Sequence, residues 1–254
     1  MNILAFFAHP DDETMLVGGI LALLARQGAQ VHYLSATRGE GGEVGDPPLC
    51  SIEELGQIRE DEMACAVAAL GGSSLDFLGY ADPRVGPNDE LYAYSEDLAR
   101  VARQVATKIR QVNAQAMFTH GANGEYGHPA HVLTHRAAIK AVESFDGQEV
   151  LLYGVSAAFP EHPRPRLTNQ DNPAHLVIEA GPAREAKTRA ALCHRSQHAL
   201  FVRRSSLEAG RPLSVPEVII PLEGLHRIRP PVTAGLDDEI ARLLQPWRFQ
   251  PPQA

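Results

Sequence analysis

Residues 3–14 read ILAFFAHPDDET, and this stretch decides how the chain folds. Its first six residues form a short apolar run, as in a strand buried on both faces of a parallel sheet. An imidazole, His9, and three consecutive carboxylates at 11–13 follow directly, before an amphipathic pattern begins. Ligands of parallel α/β sheets bind beyond the carboxyl ends of the strands. The turn therefore predicts either a metal site or a simple cap of the following helix through Asp11 and Asp12.

The composition is typical of a soluble globular protein. Of the 254 residues, 44% are hydrophobic and 21% are charged, which suits one large domain over residues 1–254, with a core of about residues 1–200 and a C-terminal extension of about 201–254. No apolar run is long enough to span a bilayer and residues 1–8 lack a basic leader, so we expect a cytoplasmic protein without a transmembrane segment. The net charge of -8, without a basic cluster, argues against a nucleic-acid partner.

Three cysteines, Cys50, Cys65 and Cys193, have spacings that fit neither a zinc knuckle nor a disulfide framework. Cys65 lies within an apolar helical pattern. We therefore expect all three to be reduced and structural.

Strand and helix patterns alternate along the chain. Short apolar runs predict strands at 3–8, 31–36, 75–78, 116–119, 150–155 and 176–178. Amphipathic patterns predict helices from the turn to Gly28, from a Ser51–Glu54 capping box to about Leu70, from a Ser95 cap to Val112, and over 129–143, 183–193 and 236–244. This alternation predicts an α/β fold, Rossmann-like, with a mostly parallel sheet, helices on both faces and an irregular C-terminal layer.

A second histidine cluster follows the fourth predicted strand. His128 and His131 flank Pro129, which is typical of a first helical position. If this turn and the first lie at the same edge of one sheet, His9, Asp12 and His131 can converge. Two imidazole nitrogens and one carboxylate oxygen form a catalytic zinc set with an open position for water. A histidine pair alone would more often be a surface feature, but two clusters at equivalent points favour a site.

These residues resemble a known family, the LmbE-like, or PIG-L, zinc de-N-acetylases of N-acetylated sugars. The resemblance rests on residues 8–13, Ala-His-Pro-Asp-Asp-Glu, and on residues 127–131, Gly-His-Pro-Ala-His. Further similarity lies in the segments 37–40, 78–82 and 194–197, so it covers roughly the first 200 residues. The first motif, in this context, is highly specific.

The resemblance implies a role for each residue of the two clusters. His9, Asp12 and His131 would bind Zn²⁺, or another divalent metal such as Fe²⁺. Asp11 would act as general base, and His128 would face the developing oxyanion. This agrees with the chemistry, because zinc makes water a strong nucleophile at neutral pH and a neighbouring carboxylate can receive its proton.

One position departs from the family pattern. Many relatives carry an aspartate between the two histidines of the second motif, where it could steady the first imidazole as a cation. This chain has Ala130, so the protonation of His128 is open. Glu125 and Glu13 are the candidates to replace the missing carboxylate.

The resemblance also implies substrate contacts by Arg38, Asp82 and Tyr126. From the residues alone, Arg38 and Asp82 are as readily explained as solvated charges, and Tyr126 as a packed loop aromatic. His120 ends the fourth predicted strand and is a candidate to support the metal turn. Three further histidines are not predicted to be metal ligands: His135, His194 and His198.

The leading hypothesis is a zinc-dependent hydrolase that removes an N-acetyl or similar small acyl group from an amino sugar or sugar conjugate. A non-haem iron enzyme is the first alternative, because two histidines and one carboxylate also form its facial triad, usually on a β-barrel. A catalytically silent sugar- or nucleotide-binding relative is the second, and it predicts a broken ligand set. The expected partner is a small N-acetylated sugar or glycoconjugate, and the resemblance leaves a homo-oligomer open.

Overall fold

The central sheet follows the predicted alternation of strands and helices. The computed structural model describes residues 1–233 and 235–250. The strands are β1 (Asn2–Phe7), β2 (Gln30–Thr37), β3 (Ser74–Tyr80), β4 (Ala116–Thr119), β5 (Leu151–Gly154), β6 (Ala157–Ala158), β7 (Asn169–Pro173), β8 (Leu176–Glu179) and β9 (Leu222–Arg229). The helices are α1 (Asp12–Arg26), α2 (Leu55–Ala69), α3 (Leu98–Val112), α4 (Gly124–Gly127), α5 (Pro129–Glu143), α6 (Arg184–Cys193), α7 (His198–Ala209), α8 (Val215–Val218) and α9 (Glu239–Leu244). All six predicted strands are present.

Strand order places the two histidine clusters side by side. The large sheet has the order β3-β2-β1-β4-β5-β9-β8, and its first five strands are parallel. The chain runs outward from β1 through β2 to β3 and then returns to β4 on the other side of β1. The order in which strands are added therefore reverses between β1 and β4. Ligands of open α/β sheets bind at such a point. The segments that leave these two strands carry the predicted metal ligands.

The core lies on both faces of the sheet, as β1 illustrates. Ile3, Ala5 and Phe7 pack into one apolar cluster with residues of α1, α2, α6 and α9. Leu4 and Phe6 point to the other face, into a second cluster with α3 and α5. This alternation is expected of a strand covered on both sides. It confirms that helices flank both faces.

The C-terminal extension contributes to the sheet, in contrast to the irregular layer that the sequence predicts. β9 inserts between β5 and β8 and is antiparallel to both. The hydrophobic pattern did not predict β9, because polar residues interrupt its apolar ones. The buried Glu223 carboxylate is paired with Lys187 at 2.7 Å and accepts the N–H groups of Gly19 and Ile20. The last part of this extension, 251–254, lies outside the described residues.

Two cysteines differ from the prediction. Cys65 on α2 and Cys193 at the end of α6 form a disulfide, so these two are not reduced, while Cys50 is free. The residues are 128 positions apart. The two cysteines meet because α2 packs against α6. The spacing of cysteines along the sequence carries no information about this packing.

The predicted helix caps, Ser51 and Ser95, lie three and two residues before the observed ones. Ser51 and Glu54 do pair, with the Ser51 hydroxyl donating to the Glu54 carboxylate at 2.8 Å, but α2 begins only at Leu55. The cap of α3 is Asp97, whose carboxylate accepts the Arg100 N–H at 2.9 Å. None of the described helices has the length and apolar character needed to cross a bilayer.

Candidate active site

The turn after β1 adopts a strained backbone. Asp11 has a φ of 105°, a region that residues other than glycine rarely adopt and that costs on the order of 1–3 kcal/mol. Its carbonyl accepts the N–H groups of Thr14 and Met15, which starts α1. Its own N–H donates to the buried Glu13 carboxylate at 3.0 Å. The Asp11 side chain lines a cavity.

The predicted ligand atoms converge beyond β1 and β4. His9 Nδ1 lies 3.3 Å from Asp12 Oδ2 and 3.3 Å from His131 Nε2, and His131 Nε2 lies 3.4 Å from Asp12 Oδ1. In a tetrahedral site with ligands about 2.0–2.1 Å from the ion, neighbouring ligand atoms are about 3.3 Å apart. All three residues are buried. The donor set and its spacing therefore fit a divalent metal ion of the zinc type.

Other histidines lie within reach of the same point. Ligand atoms of His9, His128 and His131 are within 4.8 Å of one another, and so are those of Asp12, His120 and His131. His120 is less suited to binding a metal ion, because its Nε2 accepts the Ala8 N–H at 3.1 Å. A backbone N–H only donates, so the lone pair of His120 Nε2 is already engaged.

Glu125 holds the imidazoles of the second cluster. Its Oε2 lies 2.6 Å from His131 Nδ1 and 2.9 Å from His120 Nδ1, while its Oε1 accepts the amide of Asn169 at 3.0 Å. Burial alone would raise the pKa of Glu125, but the two imidazoles hold it well below its usual range. A carboxylate on Nδ1 directs the His131 Nε2 lone pair toward the predicted metal position, which is the usual support of a metal-binding histidine.

Asp82 supports the other imidazole in the same way. Its Oδ1 lies 3.2 Å from His9 Nε2, on the side of the ring opposite the ligand atom Nδ1. Burial would lower the pKa of His9, yet the carboxylates of Asp82 and Asp12 raise it to about 10. The two carboxylates place negative charge on either side of the His9 ring. The same carboxylate also lines the cavity, where the resemblance predicts a substrate contact.

Asp11 faces the cavity beside this set. Its Oδ2 accepts a hydrogen bond from Arg59 at 3.0 Å. Burial raises the pKa of Asp11 to about 7, against the opposing effect of the Arg59 guanidinium. A carboxyl group that titrates near neutral pH is well matched to general base catalysis.

His128 is neutral and has a defined tautomer. Burial, together with the neighbouring His131 and His9, lowers the pKa of His128 to about 3. Its Nδ1 accepts the backbone N–H of Ala130 at 3.2 Å, so the ring proton lies on Nε2. The backbone of Ala130 thus fixes the ring although its side chain offers no carboxylate. Neither proposed substitute has this role, because Glu125 binds His120 and His131 while Glu13 binds the turn and His194.

Two of the predicted substrate contacts lie at the cavity and one does not. Asp82 and Tyr126 both line it, and the Tyr126 ring packs edge-on against His128 with the centroids 5.8 Å apart. Arg38 instead extends along the surface, where it pairs with Glu40 at 3.1 Å. Arg38 also lies 3.7 Å from Glu60, so two carboxylates hold its guanidinium, and its contact with a substrate stays a prediction.

The sequence analysis missed Arg59, which lines the cavity. This side chain is buried and donates to the carbonyls of Pro10 and Gly39 as well as to Asp11. A signal was present, since Arg59 lies at helical spacing on the buried face of α2 that also carries Leu55 and Met63. A charged residue on such a face needs a partner when buried.

The remaining histidines lie around the site without entering the ligand set. His194 is buried behind the first turn, and its Nε2 lies 3.1 Å from the Glu13 carboxylate. His135 donates through Nδ1 to the carbonyl of His120 at 2.8 Å. His198 lies at the start of α7 and contacts the carbonyl of Leu192.

The cavity has a volume of about 590 Å³, and its inner end differs in polarity from its outer wall. At its inner end lie the polar groups of both clusters, including Asp11, Asp12 and His128. The outer wall is formed by the loops after β2 and β3 and by α7, with mainly apolar side chains. A concave, largely apolar cavity with a few convergent polar groups is typical of a small-molecule site.

Solved structures with the same fold have more than one activity. The N,N'-diacetylchitobiose deacetylase from Pyrococcus horikoshii superposes with a TM-score of 0.63 at 20% identity, over 89% of this chain and 83% of that one. GalB, the 4-carboxy-2-hydroxymuconate hydratase from Pseudomonas putida KT2440, superposes with a TM-score of 0.61 at 19% identity, over 93% and 99%. The likeness shows the fold, and the fold alone does not select the reaction.

Proteins related by sequence have a higher identity to this chain than these two structures do. The 1D-myo-inositol 2-acetamido-2-deoxy-alpha-D-glucopyranoside deacetylase 1 of Catenulispora acidiphila is 36% identical over 155 residues, which are 56% of this chain and 48% of that protein. The chain spans about half the length of such curated relatives. The sequence profile of the GlcNAc-PI de-N-acetylase family, PIG-L, matches residues 4–142, more than half of the chain. The protein therefore belongs to the PIG-L family.

Proposed function

We propose that the protein is a zinc-dependent N-deacetylase that removes the acetyl group from an amino sugar or a sugar conjugate. His9, Asp12 and His131 would hold the metal ion, Asp11 would act as general base, and His128 would stabilise the oxyanion. The observation that carries the proposal is the position of Asp11. A carboxylate with a pKa of about 7, which accepts a hydrogen bond from Arg59, faces the cavity beside the three proposed metal ligands.

Hydrolysis of an amide requires a nucleophile and stabilisation of negative charge on the carbonyl oxygen. When bound, a zinc ion supplies Lewis acidity, which activates water and polarises the acetyl carbonyl. Asp11 accepts the proton that the attacking water loses. The 3.0 Å hydrogen bond from Arg59 holds the Asp11 carboxylate at the cavity.

His128 provides the second interaction with the carbonyl oxygen. Because its Nδ1 accepts the Ala130 N–H, Nε2 carries a proton that it can donate as the oxygen becomes negative. A neutral imidazole suffices for this role. The missing aspartate at position 130 therefore does not prevent oxyanion stabilisation.

Collapse of the tetrahedral species breaks the carbon–nitrogen bond. The leaving nitrogen needs a proton, and Asp11 holds the one it took from water. Returning that proton gives a free amine and acetic acid, whose remaining proton passes to the amine or to solvent to give acetate, and it leaves Asp11 ionised for the next turnover. One carboxylate thus acts as base and then as acid.

The class of substrate is supported by the relatives, which are named for deacetylation of a 2-acetamido-2-deoxy-glucopyranoside of inositol. The alternatives are not favoured. A silent binding relative predicts a broken ligand set, whereas the three ligand atoms converge. A non-haem iron oxygenase would usually place its triad on a β-barrel, unlike the parallel sheet here.

We further propose a cytoplasmic protein whose partner is a small N-acetylated sugar rather than a nucleic acid. The net charge of -8 supports the second part. The first part requires the Cys65–Cys193 disulfide to form in a compartment where disulfides are rare, so the thiol content of the protein in the cell tests it. A homo-oligomer remains part of the hypothesis.

An acetate-release assay with N-acetylglucosamine glycosides tests the reaction class. The metal-loaded protein should release one acetate per free amine formed, at equal rates with and without oxygen. Chelation should abolish the activity and Zn²⁺ should restore it. A reaction that requires oxygen, or a metal-loaded protein that releases no acetate from any N-acetylated sugar, would contradict the proposal.

A further inference from the structure

Exposed apolar side chains are concentrated at the mouth of the cavity. Among the described residues, seven large apolar side chains are exposed. Four of them, Val85, Tyr92, Tyr126 and Leu200, line this one cavity and are between 44% and 57% exposed. Single exposed apolar residues need no explanation, but a cluster around a binding cavity indicates a binding surface.

The four side chains come from separate parts of the chain. Val85 and Tyr92 lie on the loop between β3 and α3, Leu200 lies on α7, and Tyr126 lies beside His128. Loops and helices that are distant in sequence thus present apolar groups to the same space. Because they continue from the inner end of the cavity, a ligand held there by its acetamido group would extend over them.

Two polar groups around the mouth are engaged in internal contacts, whereas Arg84, which also lines the cavity, has a side chain that is 66% exposed and lies 3.9 Å from Glu53. Glu43 is engaged with Arg203 through two hydrogen bonds of 2.7 Å each. The Tyr92 hydroxyl donates to Glu90 at 2.7 Å. An apolar group would bury the surface of the four apolar side chains that water now covers, whereas a polyol hydroxyl that does not reach Arg84 would have to replace these internal contacts or stay unpaired.

We propose that the outer wall of the cavity binds an apolar aglycone, such as an aryl or a short alkyl group, attached to the N-acetylated sugar. This inference rests on the proposed deacetylase activity and adds a substrate class to it. It distinguishes this chain's substrate from a glycoside whose aglycone is a polyol. Leu200 and Val85 would act as specificity-determining residues.

Binding of reaction products tests the aglycone separately from catalysis. The probes are the methyl and hexyl glycosides of glucosamine, titrated calorimetrically into the zinc-loaded protein. We expect the hexyl glycoside to bind at least about tenfold more tightly, the effect of burying about two methylene groups. The same ratio of kcat/KM should appear for acetate release from the corresponding N-acetyl compounds.

Helix α7 provides a matched pair of variants. Leu207 lies two turns beyond Leu200, is 74% exposed and does not line the cavity. Leu200→Ser should reduce the hexyl-to-methyl ratio about threefold or more, because it removes apolar contact, while Leu207→Ser should keep the ratio. Sedimentation of both variants and of the wild type measures whether the same patch is instead an interface between two copies.

Equal affinity for the two glycosides would overturn the inference, as would an equal effect of both variants. A wild-type dimer that Leu200→Ser dissociates, without any change in the ratio, would assign the patch to self-association and overturn it too. Tighter binding of the hexyl glycoside, with no acetate released from either N-acetyl compound, would instead overturn the deacetylase proposal and leave the apolar subsite standing.

Discussion

The inner end and the outer wall of the cavity are built by opposite means. At the inner end, residues that leave β1 and β4 are buried and hydrogen-bonded, and Glu125 alone joins His120, His131 and Asn169. The outer wall consists of loops and one helix with exposed apolar side chains such as Leu200. Reaction chemistry requires fixed polar geometry, whereas recognition of an aglycone requires only shape and apolar area. We therefore expect substitutions at the inner end to have much larger effects.

The largest effect should come from a ligand at the inner end. His131→Ala removes a donor atom, so metal content should fall to background and activity with it, a larger loss than the about 10–100-fold that supporting residues cost. His135→Ala is the matched control, since His135 lies one turn further along α5 and is also buried. Metal analysis and acetate release check both variants. Full metal content in His131→Ala would refute the assigned ligand set.

Asp11→Asn should separate metal binding from catalysis. The variant keeps the ligand set, so metal content should remain near one per chain, but kcat should fall about 10²- to 10⁴-fold because the general base is lost. The adjacent substitution Asp12→Asn should lose the metal ion instead. If Asp11→Asn turned over substrate like the wild type, another group would have to be the base.

His128→Ala should retain the metal ion and lower kcat about 10²- to 10³-fold, the usual cost of one oxyanion donor. His128→Gln restores an N–H donor and should recover part of this loss. Steady-state kinetics with metal-loaded variants provide the measurement. If the residue served only to pack against His131, Gln would restore no activity. Equal activity of His128→Ala and His128→Gln would therefore indicate a packing role.

The smallest effect at the inner end is expected for a residue behind the ligands. Glu125→Gln weakens the hydrogen bonds to His131 and His120 and should reduce metal affinity about 10- to 100-fold. Competition with a chelator measures this affinity. Glu143→Gln, at the exposed end of α5, should leave it unchanged. Wild-type affinity in Glu125→Gln would mean that His131 is oriented by packing alone.

The same contrast explains what could be predicted from the sequence. Local patterns sufficed for β1, for the first turn and for the start of α5 at Pro129, because each is encoded by consecutive residues. They also sufficed for the convergence of His9, Asp12 and His131, since parallel strands end at one sheet edge.

Contacts between distant parts of the chain could not be predicted in this way. Arg59 reaches Asp11 from α2, whereas the nearer Arg38 pairs with two glutamates. The Cys65–Cys193 disulfide and the insertion of β9 depend equally on packing between remote segments. The apolar outer wall is a further case, because its residues are neighbours only in the folded protein.

Titration of metal-free protein with Zn²⁺, followed by acetate release from an N-acetylglucosamine glycoside, tests the central claim most directly. The proposed ligand set predicts that activity is absent without metal, rises in proportion to added Zn²⁺ and reaches its maximum near one equivalent. Acetate release by the metal-free protein at the same rate, or none at any zinc content, would contradict it.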